Sequence, residues 1–294
     1  MCRSEKKGNV FMEYTILNNG IKMPMEGFSV FQIVDPLQCE RAVLNAISVG
    51  YRLIDITATY MNEEAVGAAI AKSGVLRHDL FIASKLWLQD NSYDGAKRAF
   101  EASLRKLGLE YLDLYLIYKL MGDYTDAYRA MEDLYKEGRV RAIGVCNCSP
   151  HLLADICKNA EVLPTVNQIE FHPFFQQNKA LQTMKTFEVQ PQIWEPLAEG
   201  TNSFFSNPIL AEIGSKYGKT AAQVALRWNI QRGVAVVPRS IRREDMEQNI
   251  NIWNFRLTNS ETEEISRLDT GHSEMVDPYD LALVGTFQAK KIHV

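Results

Sequence analysis

The sequence predicts an α/β protein, a (β/α)8 TIM barrel built as a single domain over residues 1–294. Short β-prone runs alternate with longer amphipathic stretches along almost the whole chain. These runs are apolar on both faces, which is typical of a parallel sheet covered by helices. There are eight such units, and eight parallel strands close a barrel. The alternative, a doubly wound dinucleotide-binding domain, is disfavoured because no G-x-G-x-x-G follows any predicted strand.

The eight predicted strands are rich in β-branched and aromatic residues. In chain order they are FSVF (28–31), LIDIT (53–57), LFIASKL (80–86), LDLYLIY (112–118), AIGVCN (142–147), TVNQIEF (165–171), VQPQIW (189–194) and VAVVPRS (234–240). The clearest helices between them cover 36–50, 92–108 and 127–138. Each of these three segments ends in glycine, which suits the left-handed conformation at a helix C-terminus.

The two ends of the chain have predictions of their own. The segment EYTILNNGIKMPME (13–26) contains Asn-Gly between β-prone flanks, which predicts a hairpin. Because it precedes the first barrel strand, we expect it to close the bottom of the barrel. The tail, 273–294, is expected near the substrate pocket. Its apolar residues could dock on the barrel or pair with another subunit; they are Val276, Leu281, Leu283, Val284 and Phe287.

Composition limits the partners of this protein. The net charge of −4 argues against a nucleic-acid binder, which normally has a basic face. No apolar run approaches the roughly 18 residues of a membrane span. The start of the chain lacks the apolar core of a secretory signal, and its five cysteines have no framework spacing, so a reducing cytoplasm is expected. A small molecule is the predicted partner, and the protein is expected to be a monomer or a small homo-oligomer.

No metal site is predicted. Cys146 and Cys148 form a C-x-C pair, but no second Cys/His pair has ligand spacing. Buried thiols are therefore the expectation.

Polar side chains end most of the predicted strands. They are Asp55, Lys85, Tyr118, Asn147, Gln168, Glu170, Trp194 and Arg239. Burial of such groups without partners costs about 1–3 kcal/mol each. In a TIM barrel the chemistry lies at the C-terminal ends of the strands. Together these residues predict a ligand site at that rim.

A first cluster can donate a proton. Asp55 closes the second strand, Tyr60 follows in the next loop, and Lys85 ends the third strand. A tyrosine has an ordinary pKa of roughly 10, and an adjacent ammonium group is expected to lower it. Asp55 would hold Lys85 charged and oriented. Such a tyrosine can act as general acid to a carbonyl oxygen while hydride reaches the carbon.

A second cluster can bind a planar amide and a phosphate. Asn147 and Gln168 offer amides that match a carboxamide, and Trp194 offers a face for stacking. After the last strand, four residues precede or begin a predicted helix, where arginine side chains and free N–H groups suit phosphate. These residues are Arg239, Ser240, Arg242 and Arg243.

An alternative interpretation of this segment is a sugar-phosphate enzyme, in which the segment binds the phosphate of the substrate. It lacks a paired carboxylate or a lysine base at the other rim positions.

Over nearly its whole length the sequence resembles the aldo-keto reductases, in particular the bacterial branch that includes diketogluconate reductases. The matching motifs are LNNGIKMP, DITATYMNEEAVG, SKLW, SLRKLGLEYLDLYLI, AIGVCN, VNQIEFHP, PLAEG and VVPRS. The resemblance implies a barrel that binds NADPH, in preference to NADH, without a Rossmann domain. It also implies reduction of aldehydes or ketones of small molecules.

The resemblance also assigns roles to individual residues. Asp55, Tyr60 and Lys85 correspond to catalytic residues, with Tyr60 as the proton donor. The implied cofactor-binding residues are Cys146, Asn147, Gln168, Trp194, Leu197, Arg239, Ser240, Arg242, Arg243 and Asn249. The implied substrate pocket is lined by Phe31, Trp87 and Tyr118.

The sequence departs from the family at one catalytic position. The fourth strand usually ends in His-Trp-Pro, whereas here it reads Tyr118-Lys119-Leu120. A phenol can donate one hydrogen bond as imidazole does, but it does not titrate near neutrality. Three outcomes are therefore open for Tyr118. It replaces the histidine in catalysis at a reduced rate, it directs the site to another acceptor, or it leaves a nucleotide-binding sensor or regulatory protein with little turnover.

Other departures concern the cofactor. Cys146 replaces a serine, Glu195 stands near the expected pyrophosphate, and Gln248 replaces a glutamate. Asp245 lies where an arginine often meets the adenosine 2′-phosphate, and Arg242 and Arg243 could compensate. These changes predict weaker or less phosphate-selective binding.

Overall fold

The computed structural model describes residues 12–273, 285–286 and 289–292. Its strands are β1 (Tyr14–Ile16), β2 (Lys22–Pro24), β3 (Gly27–Ser29), β4 (Leu53–Asp55), β5 (Phe81–Leu86), β6 (Leu114–Ile117), β7 (Ile143–Cys146), β8 (Val166–Glu170), β9 (Gln190–Trp194) and β10 (Ala235–Val236). Strands β3 to β10 pair in chain order, each parallel to the next. Backbone hydrogen bonds from Val236 to Met25 and from Ser29 to Pro238 join the two ends of the sheet. The predicted (β/α)8 barrel is confirmed.

Helices follow the barrel strands and form the outer layer. They are α1 (Pro36–Val49), α2 (Glu63–Lys72), α3 (Tyr93–Leu107), α4 (Tyr124–Lys136), α5 (Pro150–Asn159), α6 (Asn178–Thr186), α7 (Pro208–Tyr217), α8 (Ala221–Gln231), α9 (Arg243–Ile250) and α10 (Asn259–Ser266). Local sequence fixes their ends. Asp35 caps α1 by accepting from the Gln38 N–H at 2.7 Å, and Gly108 ends α3 with φ of 65°.

The N-terminal hairpin lies at the bottom of the barrel, as predicted. Strands β1 and β2 pair antiparallel. Thr15 Oγ1 donates to Gln190 Oε1 at 2.9 Å, at the start of β9. Asn18 and Asn19 donate to the carbonyl groups of Pro164 and Arg141, which precede β8 and β7. The hairpin therefore covers the N-terminal ends of the strands, opposite the rim where the polar residues were predicted.

The strands are shorter than the sequence predicted, most of all the last one. The prediction covered 234–240, whereas β10 is only Ala235–Val236. Pro238 has no N–H to donate to the sheet, although its carbonyl group still accepts from the Ser29 N–H at 3.1 Å. Helix α4 also differs from its prediction, since it begins at Tyr124 and ends at Lys136 rather than spanning 127–138.

Register places a layer of polar side chains next to one another in the barrel. Gln168 pairs with Cys146 on one side and with Gln192 on the other. Asp55 lies on β4 between Ser29 and Ala83. Paired residues of a sheet share a face, so these strands present their polar groups to the same interior. Across the described residues, the structure contains no helix with both the length and the apolar character of a membrane span.

Candidate active site

The predicted Asp55–Lys85 ion pair is present at the upper end of β4 and β5. Lys85 Nζ lies 2.6 Å from Asp55 Oδ2 and donates to the carbonyl of Ile56 at 3.1 Å. Asp55 is 4% exposed and Lys85 is 5% exposed. A charged pair buried to this extent is held in one geometry by its mutual attraction and hydrogen bonds.

Tyr60 lies beside this pair, but its pKa differs from the prediction. It ends the short helical turn Ala58–Tyr60, which packs against β5. Burial raises the pKa of Tyr60 well above its ordinary value, and the neighbouring acidic groups raise it further; these are Tyr118, Asp55, Glu195 and Cys146. The expectation that the ammonium group lowers this pKa is therefore wrong. The physical reason is that burial disfavours the charged phenolate, and this effect outweighs the attraction expected from the Lys85 ammonium group.

Phe31 connects Tyr60 to the end of the last strand. The two rings are 5.3 Å apart between centroids and meet edge to face. On its other side, the guanidinium group of Arg239 lies 6.0 Å from the Phe31 centroid. The structure thus brings together Phe31, Tyr60 and Arg239, which the sequence placed in three different subsites.

Trp87 and Tyr118 pack against each other and form one wall of the candidate site. Their rings are 4.8 Å apart, and the Tyr118 N–H continues the β6–β5 pairing by donating to Leu86 at 2.9 Å. Burial raises the pKa of Tyr118 to about 12. At neutral pH this phenol is therefore uncharged and keeps its proton.

Part of the C-terminal tail reaches this wall. Trp87 Nε1 donates to the carbonyl of Lys290 at 2.8 Å, and the Ile292 N–H donates to Gln89 Oε1 at 2.9 Å. The position of the tail near a substrate pocket stays a prediction; Trp87 is one of the residues expected to line that pocket. The tail residues predicted to dock or to pair with another subunit lie outside the described residues; they are Val276, Leu281, Leu283, Val284 and Phe287.

The amide side chains at the rim are already hydrogen-bonded to their neighbours. Trp194 Nε1 donates to Asn147 Oδ1 at 2.9 Å, and Asn147 Nδ2 donates to the Tyr118 carbonyl at 3.3 Å. Gln168 Nε2 donates both to Asp55 Oδ1 at 3.0 Å and to Gln192 Oε1 at 2.7 Å. The three residues expected to meet a carboxamide and a pyridine ring therefore lie at one rim.

Sequence reasoning missed Gln192. It lies on β9, two residues before Trp194 and on the same face. The alternation of side chains along a strand, which turns Gln192 to the same face as Trp194, was the signal that could have found it. A second omission is the environment of Glu170, which accepts from Ser273 Oγ at 2.7 Å and lies 3.2 Å from His172 Nε2.

The predicted phosphate end lies between β10 and α9. Ser240 Oγ accepts from the Arg242 N–H at 3.0 Å and donates to Asp245 Oδ2 at 3.1 Å. Arg242 Nε lies 3.8 Å from the same carboxylate. Arg243 instead bonds Glu247 and Ser48, each at 2.8 Å. Of the two arginines expected to compensate for Asp245, only Arg242 therefore faces it.

The remaining predicted cofactor residues lie on β7, on α9 and in the turn after β9. Leu197 is half-buried in the turn after β9, Cys146 is buried at the end of β7, and Asn249 is buried on α9. Glu195 follows Trp194 with a left-handed φ of 48°. Burial raises its pKa to about 7, Glu199 adds to this, and Arg239 opposes it. This part of the site contains a carboxyl group that changes charge near neutrality.

The part of the chain that the structure describes contains no group of three or more His, Cys, Asp or Glu side chains that could hold a metal ion.

Comparison with known proteins points to one family. The model of the "Aldo/keto reductase family" matches residues 32–270. The chain is 42% identical over 266 residues to the glyoxal reductase of Bacillus subtilis, covering 90% of this chain and 96% of that protein. It is 39% identical over 268 residues to the methylglyoxal reductase DkgA of Escherichia coli K12, covering 89% and 95%.

Solved structures agree with these relatives. An aldo-keto reductase from a deep-sea metagenome library has 37% identity and a TM-score of 0.86, covering 90% of this chain and 99% of that one. A Bombyx mori aldo-keto reductase in complex with NADP has 29% identity and a TM-score of 0.85, covering 91% and 96%.

Proposed function

The chain belongs to the aldo/keto reductase family, and on this premise we propose that it reduces aldehyde or ketone groups of small molecules with NADPH. The observation that carries the proposal is the buried Asp55–Lys85 pair beside Tyr60 at the C-terminal ends of the strands. Relatives named glyoxal and methylglyoxal reductases support small carbonyl compounds as the substrate class.

Tyr60 is the proposed proton donor. Its raised pKa keeps the phenol protonated at neutral pH, which is the form that a general acid needs. Lys85, fixed by Asp55, offers a positive charge toward the oxygen that becomes negative when Tyr60 releases its proton. Tyr118 is proposed as a second hydrogen-bond donor to the substrate oxygen, because it is neutral and lies near enough to Tyr60 to influence its pKa.

The residues at the rim fit a dinucleotide. Trp194 offers a ring face, and Asn147 and Gln168 offer amides to a carboxamide. Ser240 and Arg239 are exposed or half-exposed at the phosphate end. When bound, the dinucleotide supplies the hydride. The NADP complex of the Bombyx mori relative supports this choice of cofactor.

The test is turnover of glyoxal, methylglyoxal and a panel of aldehydes, followed by NADPH absorbance, with Tyr60→Phe as the reference. We expect Tyr60→Phe to lower kcat by at least about 10²-fold, since general acid catalysis contributes about that much or more. The dissociation constant for NADPH should stay the same, because Phe keeps the ring. The proposal is wrong if no substrate is turned over faster by the wild type than by this variant.

A second candidate function is a nucleotide-binding sensor with little turnover. Tyr118 favours it, because its phenol is held against Trp87 and does not titrate near neutrality. This function predicts NADPH binding, measured by calorimetry, together with turnover no faster than that of Tyr60→Phe. In that case Tyr118→His should raise kcat by about 10²-fold, which is the usual effect of one oriented donor.

A further inference from the structure

A chain of hydrogen bonds runs inward from the Asp55–Lys85 pair to the centre of the barrel. Gln168 Nε2 lies 3.0 Å from Asp55 Oδ1 and 2.7 Å from Gln192 Oε1. Gln192 Nε2 in turn lies 3.9 Å from Met23 Sδ, a weak acceptor. Gln168 is 1% exposed and Gln192 is 0% exposed. Bulk water is therefore excluded from these hydrogen bonds. A side chain that loses its partner in this chain cannot replace the lost bond with one to bulk water.

The charge of Asp55 sets the direction of this chain. An ionised carboxylate only accepts hydrogen bonds, so Gln168 must turn its NH2 group toward Asp55. One N–H of that group bonds Asp55, and the second needs another acceptor, which Gln192 Oε1 supplies. Both donors of Gln168 are then used inside the barrel. Its carbonyl oxygen remains as the atom that can meet a ligand.

Gln192 completes this arrangement. Asp55 satisfies only one of the two N–H groups of Gln168. Without Gln192 the other N–H would be buried with no acceptor, which is unfavourable. A rotation of the Gln168 side chain would relieve this cost, and the amide would lose its fixed orientation.

We propose that Gln192 is a positioning residue that locks the Gln168 amide with its carbonyl oxygen toward the dinucleotide. The inference rests on the proposed function, because it assumes a nicotinamide cofactor. Gln168 then accepts from the NH2 of the nicotinamide carboxamide and cannot donate to its carbonyl oxygen. The site should therefore discriminate against a ring substituent that has a carbonyl group but no N–H.

The test compares binding of NADP⁺ with binding of its acetylpyridine analogue, in which a methyl ketone replaces the carboxamide. Binding is measured by calorimetry, with no turnover. The wild type should prefer NADP⁺ by about tenfold, the usual contribution of one hydrogen bond. Gln192→Met keeps the length of the side chain but has no oxygen, and it should reduce this preference to about twofold or less. Gln192→Glu keeps an acceptor oxygen in either protonation state and should retain the wild-type preference.

The outcomes separate the inference from its premise. An unchanged preference in Gln192→Met, or the same reduction in Gln192→Glu as in Gln192→Met, would overturn the role of Gln192. Thermal melting of each variant checks that it folds. If Gln192→Met does not fold, the wild-type ratio decides, because an absence of preference means that Gln168 does not present an acceptor. Failure of the wild type to bind either dinucleotide would instead contradict the proposed function.

Discussion

At the residue scale, the Glu195 carboxyl group changes its charge near pH 7, well above the usual range for a carboxyl group. Burial, with Glu199, raises its pKa from 4.5 to about 7. The folded chain therefore holds this proton more tightly than the unfolded chain does. The contribution of this proton to the free energy of unfolding is fully present below pH 4.5 and is lost as the pH rises through about 7.

Glu195→Gln should remove this pH dependence, because glutamine stays neutral. Since Glu195 is half-buried, we expect the variant to be more stable than the wild type by about 1–2 kcal/mol at pH 8, and nearly equal to it at pH 4. Urea unfolding at both pH values measures the difference. Glu212→Gln is the matched control, since Glu212 is an exposed carboxylate on α7 and is not among the groups that shift the pKa of Glu195. The same difference at both pH values would contradict the prediction.

Asp245 should limit the preference for a 2′-phosphate. Its carboxylate bonds Ser240 Oγ at 3.1 Å and lies 3.8 Å from Arg242 Nε, so it competes for the groups expected to bind that phosphate. Asp245→Asn should improve the ratio of NADPH to NADH affinity by about 3- to 10-fold, as removal of one nearby like charge does at a partly exposed site.

The control for that experiment is Glu247→Gln, which removes one negative charge from the same helix. Glu247 bonds Arg243, which faces Ser48 instead of Ser240. Calorimetry with both dinucleotides measures the ratio. An equal change in the two variants would mean that only the total charge of α9 matters.

The sequence predicted the residues of this site better than it predicted their interactions. Asp55 and Lys85 were predicted as a pair because they end neighbouring parallel strands, and the structure contains that pair. The pKa of Tyr60 could not be predicted, because burial outweighs a charge that is already bound elsewhere. The orientation of Gln168 depends on Gln192, a contact between two strands that no local pattern encodes.

At the scale of elements, the hairpin β1–β2 contributes stability without touching the rim. Leu17 lies between its strands, is 2% exposed and belongs to the hydrophobic core. Leu17→Ala should lower the free energy of unfolding by about 2–5 kcal/mol, through lost burial and the cavity that remains. Urea denaturation measures the loss. Ile16→Ala is the control, since Ile16 is 59% exposed, and it should change stability by less than about 1 kcal/mol.

Catalysis should be unaffected by Leu17→Ala at temperatures where the variant is folded. Leu17 lies outside the weak contact between Met23 and Gln192, and the other hairpin bonds meet the starts of β7, β8 and β9, whereas the candidate site lies at their ends. A large drop in kcat for the folded variant would mean that the hairpin supports the site directly.

The existence and order of the elements were predictable because their hydrophobic pattern changes period from strand to helix. Their ends were less predictable, for reasons that are visible in particular residues. Pro238 removes an N–H and shortens β10, whereas the hairpin was recognisable because its turn contains Asn-Gly. Sequence pattern therefore predicts which elements form, and backbone hydrogen bonding decides where they end.

At the scale of the whole molecule, the hairpin that stabilises the barrel and the residues of the candidate site lie at opposite ends of the strands. The bottom is closed by the hairpin, and the rim gathers Tyr60, Lys85, Tyr118 and Trp194 from four different strand ends or the loops that follow them. Part of the chain end returns to this rim, where Lys290 and Ile292 contact Trp87 and Gln89. The pocket wall is thus assembled from segments that are distant in sequence.

Removal of residues 287–294 should therefore change substrate binding more than folding. It deletes the acceptor of Trp87 Nε1, and the Trp87 ring packs 4.8 Å from that of Tyr118. We expect KM for aldehydes to rise by about fivefold, the value of roughly one hydrogen bond, with kcat and the melting temperature little changed. Gln89→Ala, which removes the contact with Ile292 and leaves the bond between Trp87 and Lys290 in place, should give a smaller rise. An unchanged KM in the truncated chain, with the barrel intact, would show that the Trp87 wall does not depend on the chain end.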